Sequence, residues 1–155
     1  MLIRAYRPFG DDARATMQVF WRAIRVTSTA HYSPEQIAVW ARDDLDPDGW
    51  DQKRVESGTI IAELYARVAG FTDLDDTGYI DMLFVHPDFA RRSVATALLK
   101  AVTDDADARG IPQLSVHASF TARPVFERAG FAVVEERHPV IRGVEFTNFR
   151  MTRSL

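Results

Sequence analysis

From Tyr79 to Lys100 the sequence runs an apolar, strand-like segment, Tyr79 to Val85, through a turn containing Pro87 and into a long amphipathic helix. In that helix Val94, Ala97, Leu98, Ala101 and Val102 recur at helical spacing and make one apolar stripe, which must be buried against a sheet. Gly110 and Pro112 stop the helix, and Gln113 to Ala118 reads as the next strand. A strand, a crossover helix and a second strand imply a parallel pair with the helix on one face. No other stretch restricts the topology as much.

The surrounding segments complete an α+β order. Residues 2–6 predict a short strand. Asp11 or Asp12 caps a helix carrying Ala13, Met17, Phe20, Trp21 and Ile24. Ser33 and Pro34 open a second helix. Residues 43–54, acidic and containing Pro47 and Gly49, read as a loop or frayed helix end. Thr59 to Leu64, Arg67 to Leu74 and Tyr79 to Val85 predict an antiparallel meander. A short helix from Thr121 to Ala129 ends at Gly130. Phe131 to Glu136 and Val144 to Met151 predict the last strands, with a hairpin around Arg142-Gly143. The 155 residues fit a single domain over 1–155.

Composition excludes several chemistries. The absence of Cys removes disulfides, thiolate nucleophiles and Cys-ligated zinc, and no metal is expected. A net charge of -3 argues against a general nucleic-acid or membrane-surface binder. No apolar run reaches the roughly 18 residues of a membrane span, and the N-terminus lacks a signal peptide's apolar stretch. A cytoplasmic protein, monomer or homodimer, is the expectation.

The turn after Val85 has the makings of an anion site. Free backbone N–H groups at a helix start attract negative charge. Arg91 and Arg92 add fixed positive charge, and the small residues Ser93 and Ala95 allow close approach to the backbone. These features fit a pyrophosphate. They also fit a surface turn with two solvated arginines.

The run Val85-His86-Pro87-Asp88-Phe89-Ala90-Arg91-Arg92-Ser93-Val94-Ala95-Thr96 resembles the acetyl-CoA signature of the GNAT superfamily. There a strand ending in V-x-P and an aromatic lead to Q/R-x-x-G-x-G/A at a helix start. Ala90 replaces the usual Gln or Arg, and Ser93 the first Gly. A Ser is strained at position 93 if the loop demands positive φ there, and costs little if Gly serves only close approach. The stretch Ser119 to Phe131 resembles the family's N-x-x-A-x-x-x-Y-E-x-x-G-F, with Ala122, Glu127, Gly130 and Phe131 matching. The strings HYSPEQIAVWA at 31–41, IDMLFVHPDFARRSVATALLK at 80–100, SVHASFTARPVFERAGF at 115–131 and RGVEFTNFRM at 142–151 resemble the YafP-like bacterial N-acetyltransferases.

The resemblance implies the GNAT fold: a mixed, mostly antiparallel sheet of six to seven strands flanked by about four helices. It implies transfer of acetyl from acetyl-CoA to a primary amine by direct attack, without a covalent enzyme intermediate. Acetyl-CoA and an amine acceptor are the implied partners. Leu83, Phe84 and Val85 are implied to offer unpaired amides to the thioester and pantetheine arm. Arg91, Arg92, Ser93, Val94, Ala95 and Thr96 are implied to hold the pyrophosphate. Ser119 stands where Asn contacts the pantetheine, and Phe126 where Tyr serves as general acid. A CoA-binding sensor without useful catalysis is the alternative.

Asp81 lies on an otherwise apolar strand, where partial burial raises a carboxylate's pKa and fits it to accept the amine's proton. A solvent-facing carboxylate, or one paired with an arginine, is the other reading. Tyr79, Tyr32 or a water is left to replace the phenol missing at Phe126. His117 is a second base, an acceptor contact or a structural histidine. His31 and Tyr32, in a turn read as exposed, and Asn148 on the last strand are the acceptor-site candidates. Trp21 and Trp40 read first as core, His86 as loop structure, and Asp43, Asp44 and Asp46 as a solvated run.

Overall fold

The computed structural model describes residues 1–155. Of the apolar stripe of the long helix, α4 (Val94–Ala108), Val94, Leu98 and Val102 are buried, with Leu99 and Ala106 beside them, while Ala97 and Ala101 are half-buried. The helix lies against β1 (Leu2–Ala5), β2 (Ile60–Leu64), β3 (Arg67–Thr72) and β5 (Leu83–Val85), an antiparallel sheet in that order. Its first turn sits directly on β3 at Gly70. A Cβ there would come within 2.8 Å of the Phe84 carbonyl oxygen and 2.9 Å of Val94 Cγ1, so this approach requires glycine.

A second four-stranded sheet has the order β4-β6-β10-β7, made of β4 (Tyr79–Ile80), β6 (Gln113–Ser119), β10 (Asn148–Ser154) and β7 (Ala132–Arg137). Its β4–β6 pair is the parallel one implied by the crossover helix. β8 (Val140–Ile141) and β9 (Val144–Glu145) form a hairpin around Arg142-Gly143. Leu74, Ile80, Leu99, Val102, Leu114, Val116, Phe126, Phe131, Phe149 and Met151 share one core cluster beneath this second sheet.

The remaining helices are α1 (Asp12–Arg22), α2 (Pro34–Trp40), α3 (Pro47–Glu56) and α5 (Arg123–Arg128). α1 continues through a π-helical turn, Ala23–Thr27, and a 3-10 turn, Ser28–Ala30. The α+β order stands as the sequence implies, with three differences, one being that the last expected strand, Val144 to Met151, is split into β9 and β10 in different sheets. The acidic segment expected as a loop or frayed end is α3. Asp46 caps it by accepting from the Asp48 and Gly49 amides at 3.3 and 3.1 Å, and Pro47 opens its first turn. The expected strand from Tyr79 to Val85 is broken at Asp81-Met82. Its two parts belong to different sheets, so the expected single sheet is divided.

Candidate active site

The strand break shapes the site. Tyr79 and Ile80 pair in parallel with Ser115 and Val116, whereas Leu83, Phe84 and Val85 pair antiparallel with Thr72, Phe71 and Gly70. Asp81 and Met82 lie between the two ladders, and side chains hold their backbone. Asp73 Oδ1 accepts from the Asp81 and Met82 amides at 2.7 and 3.2 Å. Thr72 Oγ1 donates to the Met82 carbonyl at 2.8 Å. Past the break β5 has β3 as its sheet neighbour and leaves its other edge free, while β6 runs on to Ser119. The His86 amide donates to the Ala69 carbonyl at 2.8 Å, so alternation turns the Phe84 amide toward β3 and those of Leu83 and Val85 toward the free edge. That edge borders a slot of about 140 Å³ lined also by Ala95, Ser119, Ala122 and Val125.

At one end the slot meets a groove over the start of α4. The first backbone bond of this helix runs from the Ala97 amide to the Ser93 carbonyl, 3.0 Å, and Ser93 makes no side-chain cap. The amides of Val94, Ala95 and Thr96 therefore precede the helical ladder. Arg91 and Ser93 both have φ of 60°, in the left-handed region, so the strained case at position 93 is the one realised. The groove, about 720 Å³, is lined by Arg91, Lys100, Arg128 and Arg153 together with Ser93 to Thr96. Arg153 Nη1 donates to Thr103 Oγ1 at 3.2 Å, and Lys100 pairs with Asp104 at 2.5 Å.

At the other end lies a cavity of about 280 Å³, with Asp81, Tyr79, His117 and Ser119 among its lining residues. Its walls are largely apolar, with Tyr32, Trp40, Phe84, Phe126, Ile141 and Phe146 prominent. Tyr79 Oη and His117 Nδ1 are 3.3 Å apart. Burial, then the charge of Asp81, pushes the Tyr79 phenol up. Burial, then Arg137 and Arg150, pushes His117 down. At neutral pH the phenol therefore keeps its proton and the imidazole is neutral.

The matching family is the acetyltransferase (GNAT) domain, over residues 28–153. The chain belongs to the GNAT family. This GNAT chain is 41% identical over 149 residues to the uncharacterized N-acetyltransferase YafP of Escherichia coli (strain K12), covering 96% of this chain and 93% of that protein. In three dimensions it is similar to a GCN5-related N-acetyltransferase from Rhodopseudomonas palustris, with TM-score 0.93 and 34% identity over 99% of this chain and 95% of that one. It also shares its fold with YncA of Salmonella typhimurium, described with its cofactor acetyl-CoA, with TM-score 0.73 and 19% identity over 100% of this chain and 94% of that one. The GNAT assignment and the likeness to YafP agree with the motifs read in the sequence, and the chain is an N-acetyltransferase.

Several residues of the GNAT chain sit differently from their sequence expectations. Asp81 is exposed at the strand break, not half-buried on a strand. The buried carboxylate at the break is Asp73, which burial pushes up to about 6 against the opposing amide bonds from Met82 and Asp81. Tyr32 is buried, not exposed. Its hydroxyl donates to the Thr147 carbonyl and accepts from the Phe120 amide, both at 3.0 Å, and burial pushes its pKa up. His31 lies outside the cavity lining, 3.1 Å from Thr121 Oγ1, and stacks on Phe120. Arg92 turns away from the groove and donates to Tyr65 Oη at 3.3 Å. Ser119 Oγ accepts from the Ala122 amide at 3.1 Å and helps form the turn into α5. Phe126 is buried edge-on against Phe131, centroids 5.1 Å apart, on the cavity floor. Asn148 lines the cavity, its Oδ1 accepting from Arg137 at 3.2 Å.

Sequence reasoning missed Asp73 and Thr72, which hold the break, and Arg128 and Arg153, which complete the basic groove. The basic residues come from α5 and β10, far from the motif in sequence, and no local spacing marks them. Asp73 carried a faint signal: a carboxylate at the end of an apolar strand.

Proposed function

We propose that the chain transfers an acetyl group from acetyl-CoA to a primary amine, with the groove, slot and cavity as consecutive parts of one site. The observation that carries this reading is the strand break at Asp81-Met82. It frees the Leu83 and Val85 amides along a slot that joins the basic start of α4 to the cavity containing Asp81.

In this reading the pyrophosphate lies against the Val94, Ala95 and Thr96 amides with Arg91 beside it, and Arg128, Arg153 and Lys100 face the remaining phosphate. The pantetheine arm follows the free edge of β5 and brings the thioester to the break. Asp81 takes a proton from the incoming ammonium group. The free amine nitrogen attacks the carbonyl carbon, and backbone N–H groups at the edge stabilise the oxyanion. Collapse breaks the C–S bond, Tyr79 donates its phenolic proton to the departing sulfur, and the nitrogen gives up its second proton to water in the cavity, leaving the neutral amide. His117, 3.3 Å from that phenol, restores the proton by relay from solvent. Tyr79 thus takes the place of the phenol missing at Phe126, whose ring is buried and has no proton to give.

Acetyl-CoA should raise the melting temperature by linkage, and an amine panel should then release free thiol. No shift at millimolar acetyl-CoA contradicts the reading outright. A shift without thiol release from any amine supports the sensor alternative.

A further inference from the structure

The buried pair formed by Asp73 and Arg54 is not part of any surface that substrates reach. Asp73 is 2% exposed and Arg54 1%. Buried charges are costly, and a pair of this kind can often be replaced by apolar residues without loss of stability. Its geometry gives it a different use. Asp73 follows directly on β3 and places Oδ1 against two successive amides, Asp81 at 2.7 Å and Met82 at 3.2 Å. Those amides would otherwise need a sheet partner, and neither ladder reaches them. On the far side, Arg54 Nη1 approaches Asp73 Oδ2 at 3.4 Å and Met82 Sδ at 3.0 Å. Its guanidinium lies over the Trp50 ring at 4.9 Å and near Phe71 at 5.9 Å, while its Nε has no partner. α3 therefore braces the carboxylate from behind while the carboxylate holds the break from within.

We infer that Asp73, backed by Arg54, is a positioning residue: its carboxylate sets the strand break and so fixes where the Asp81 side chain and the Leu83 and Val85 amides meet the reacting groups. The inference rests on the proposed acetyl transfer, and a residue that never touches substrate controls its geometry. The charged and titratable groups around Asp73 are Arg54 from α3, Asp81 at the break and Tyr79 on β4, with Tyr6 behind Arg54. Protonating the carboxylate weakens the hold on both amides together.

The test combines a spectroscopic readout with kinetics. In the wild-type chain without ligand, the Asp81 and Met82 amide resonances should titrate together with a midpoint near 6. Asp73→Asn, which keeps an Oδ1 acceptor, should abolish that titration. In acetyl transfer followed by thiol release from acetyl-CoA, Asp73→Ala should lower kcat at least about tenfold and leave KM for acetyl-CoA within about threefold. Asp73→Asn should recover most of the loss. Asp81 and Met82 amide resonances that stay in place when Asp73 is changed to Asn, or Asp73→Ala turning over like the wild type, overturn the inference. The amide shifts of Asp73→Asn decide the matter even if the alanine variant fails to fold. Asp81→Asn separates this inference from the reading of Asp81 as base. If only Asp81→Asn is slow, the bracket fails and the base stands. If only Asp73→Ala is slow, the bracket stands and the base fails.

Discussion

The Tyr79 hydroxyl and His117 Nδ1 face each other at 3.3 Å across the parallel β4–β6 pair, their ring centroids 5.4 Å apart. The whole crossover through β5 and α4 separates these two residues in sequence, and the parallel β4–β6 ladder brings them together. Their opposite shifts leave a protonated phenol beside a neutral imidazole, the arrangement a proton donor with a relay requires. Tyr79→Phe should lower kcat by about 10–100-fold with KM for acetyl-CoA nearly unchanged, because the phenol acts only as the C–S bond breaks. His117→Gln should cost less than Tyr79→Phe. Steady-state thiol-release kinetics check both, and an unaltered kcat in Tyr79→Phe removes the donor role.

Asp81 is exposed on an irregular segment, so its side chain can be changed without opening the core. Asp81→Asn should lower turnover by about 100-fold, the ordinary scale of general-base catalysis, while calorimetry shows unchanged acetyl-CoA affinity. Equal losses in turnover and affinity would give Asp81 a binding role instead.

The basic groove divides its arginines sharply. Arg91, Arg128 and Arg153 line it, whereas Arg92 is occupied with Tyr65. Single alanine substitutions at Arg91, Arg128 or Arg153 should weaken acetyl-CoA binding roughly tenfold, the value of one charge-assisted hydrogen bond, and should flatten its salt dependence. Arg92→Ala should leave affinity within about twofold. Calorimetry at two salt concentrations measures both, and an equal loss at Arg92 would relocate the phosphate.

What was legible in the sequence follows from where each signal resides. The crossover helix, most of its stripe and the free amides at its start are local patterns, and they appear where Val94 to Val102 place them. The break at Asp81-Met82 was not legible, because Tyr79 to Val85 has the composition of one continuous strand. Only the tertiary contacts of Asp73 and Thr72 divide it. Tyr32 was misplaced for a similar reason. A Tyr beside His31 in a turn carries no local mark of burial, and the partners that bury it, Phe120 and Thr147, lie far along the chain. Position 93 was the reverse case. The sequence posed the choice between strain and close approach, and only the backbone φ in the fold decides it.

That φ makes its own prediction. Ser93 at φ 60° and ψ 22° sits in the left-handed region, which costs an L-residue with a Cβ about 1–2 kcal/mol. Glycine removes this strain but gives up roughly 0.5–1 kcal/mol of unfolded-state entropy. Ser93→Gly should therefore stabilise the fold by about 0.5–1 kcal/mol, raising the melting temperature by a few degrees. A lower melting temperature would mean that the Ser93 side chain makes a compensating contact.

Asp73 gives the pH dependence of stability a definite sign. Its folded pKa of about 6 lies above the ordinary value of 3.8 because burial disfavours the anion. A carboxylate shifted upward favours folding while it is protonated in the fold. Its contribution is complete below the unfolded value and is lost as pH rises through the folded one. Asp12 runs the opposite way. Burial works to raise its pKa, but the bonds from Arg4 at 2.7 and 2.9 Å and from the Arg7 amide at 2.8 Å, with the charges of both arginines, together outweigh it and hold the carboxyl low. The total slope is a sum over such groups, so the informative quantity is a difference between variants. Unfolding free energies of the wild type minus those of Asp73→Asn should decline by up to about 3 kcal/mol between pH 4 and pH 7, the worth of a shift of roughly two pH units. Urea melts at half-unit pH intervals measure that difference, and a flat or rising curve would show that Asp73 is ionised in the fold across the whole range.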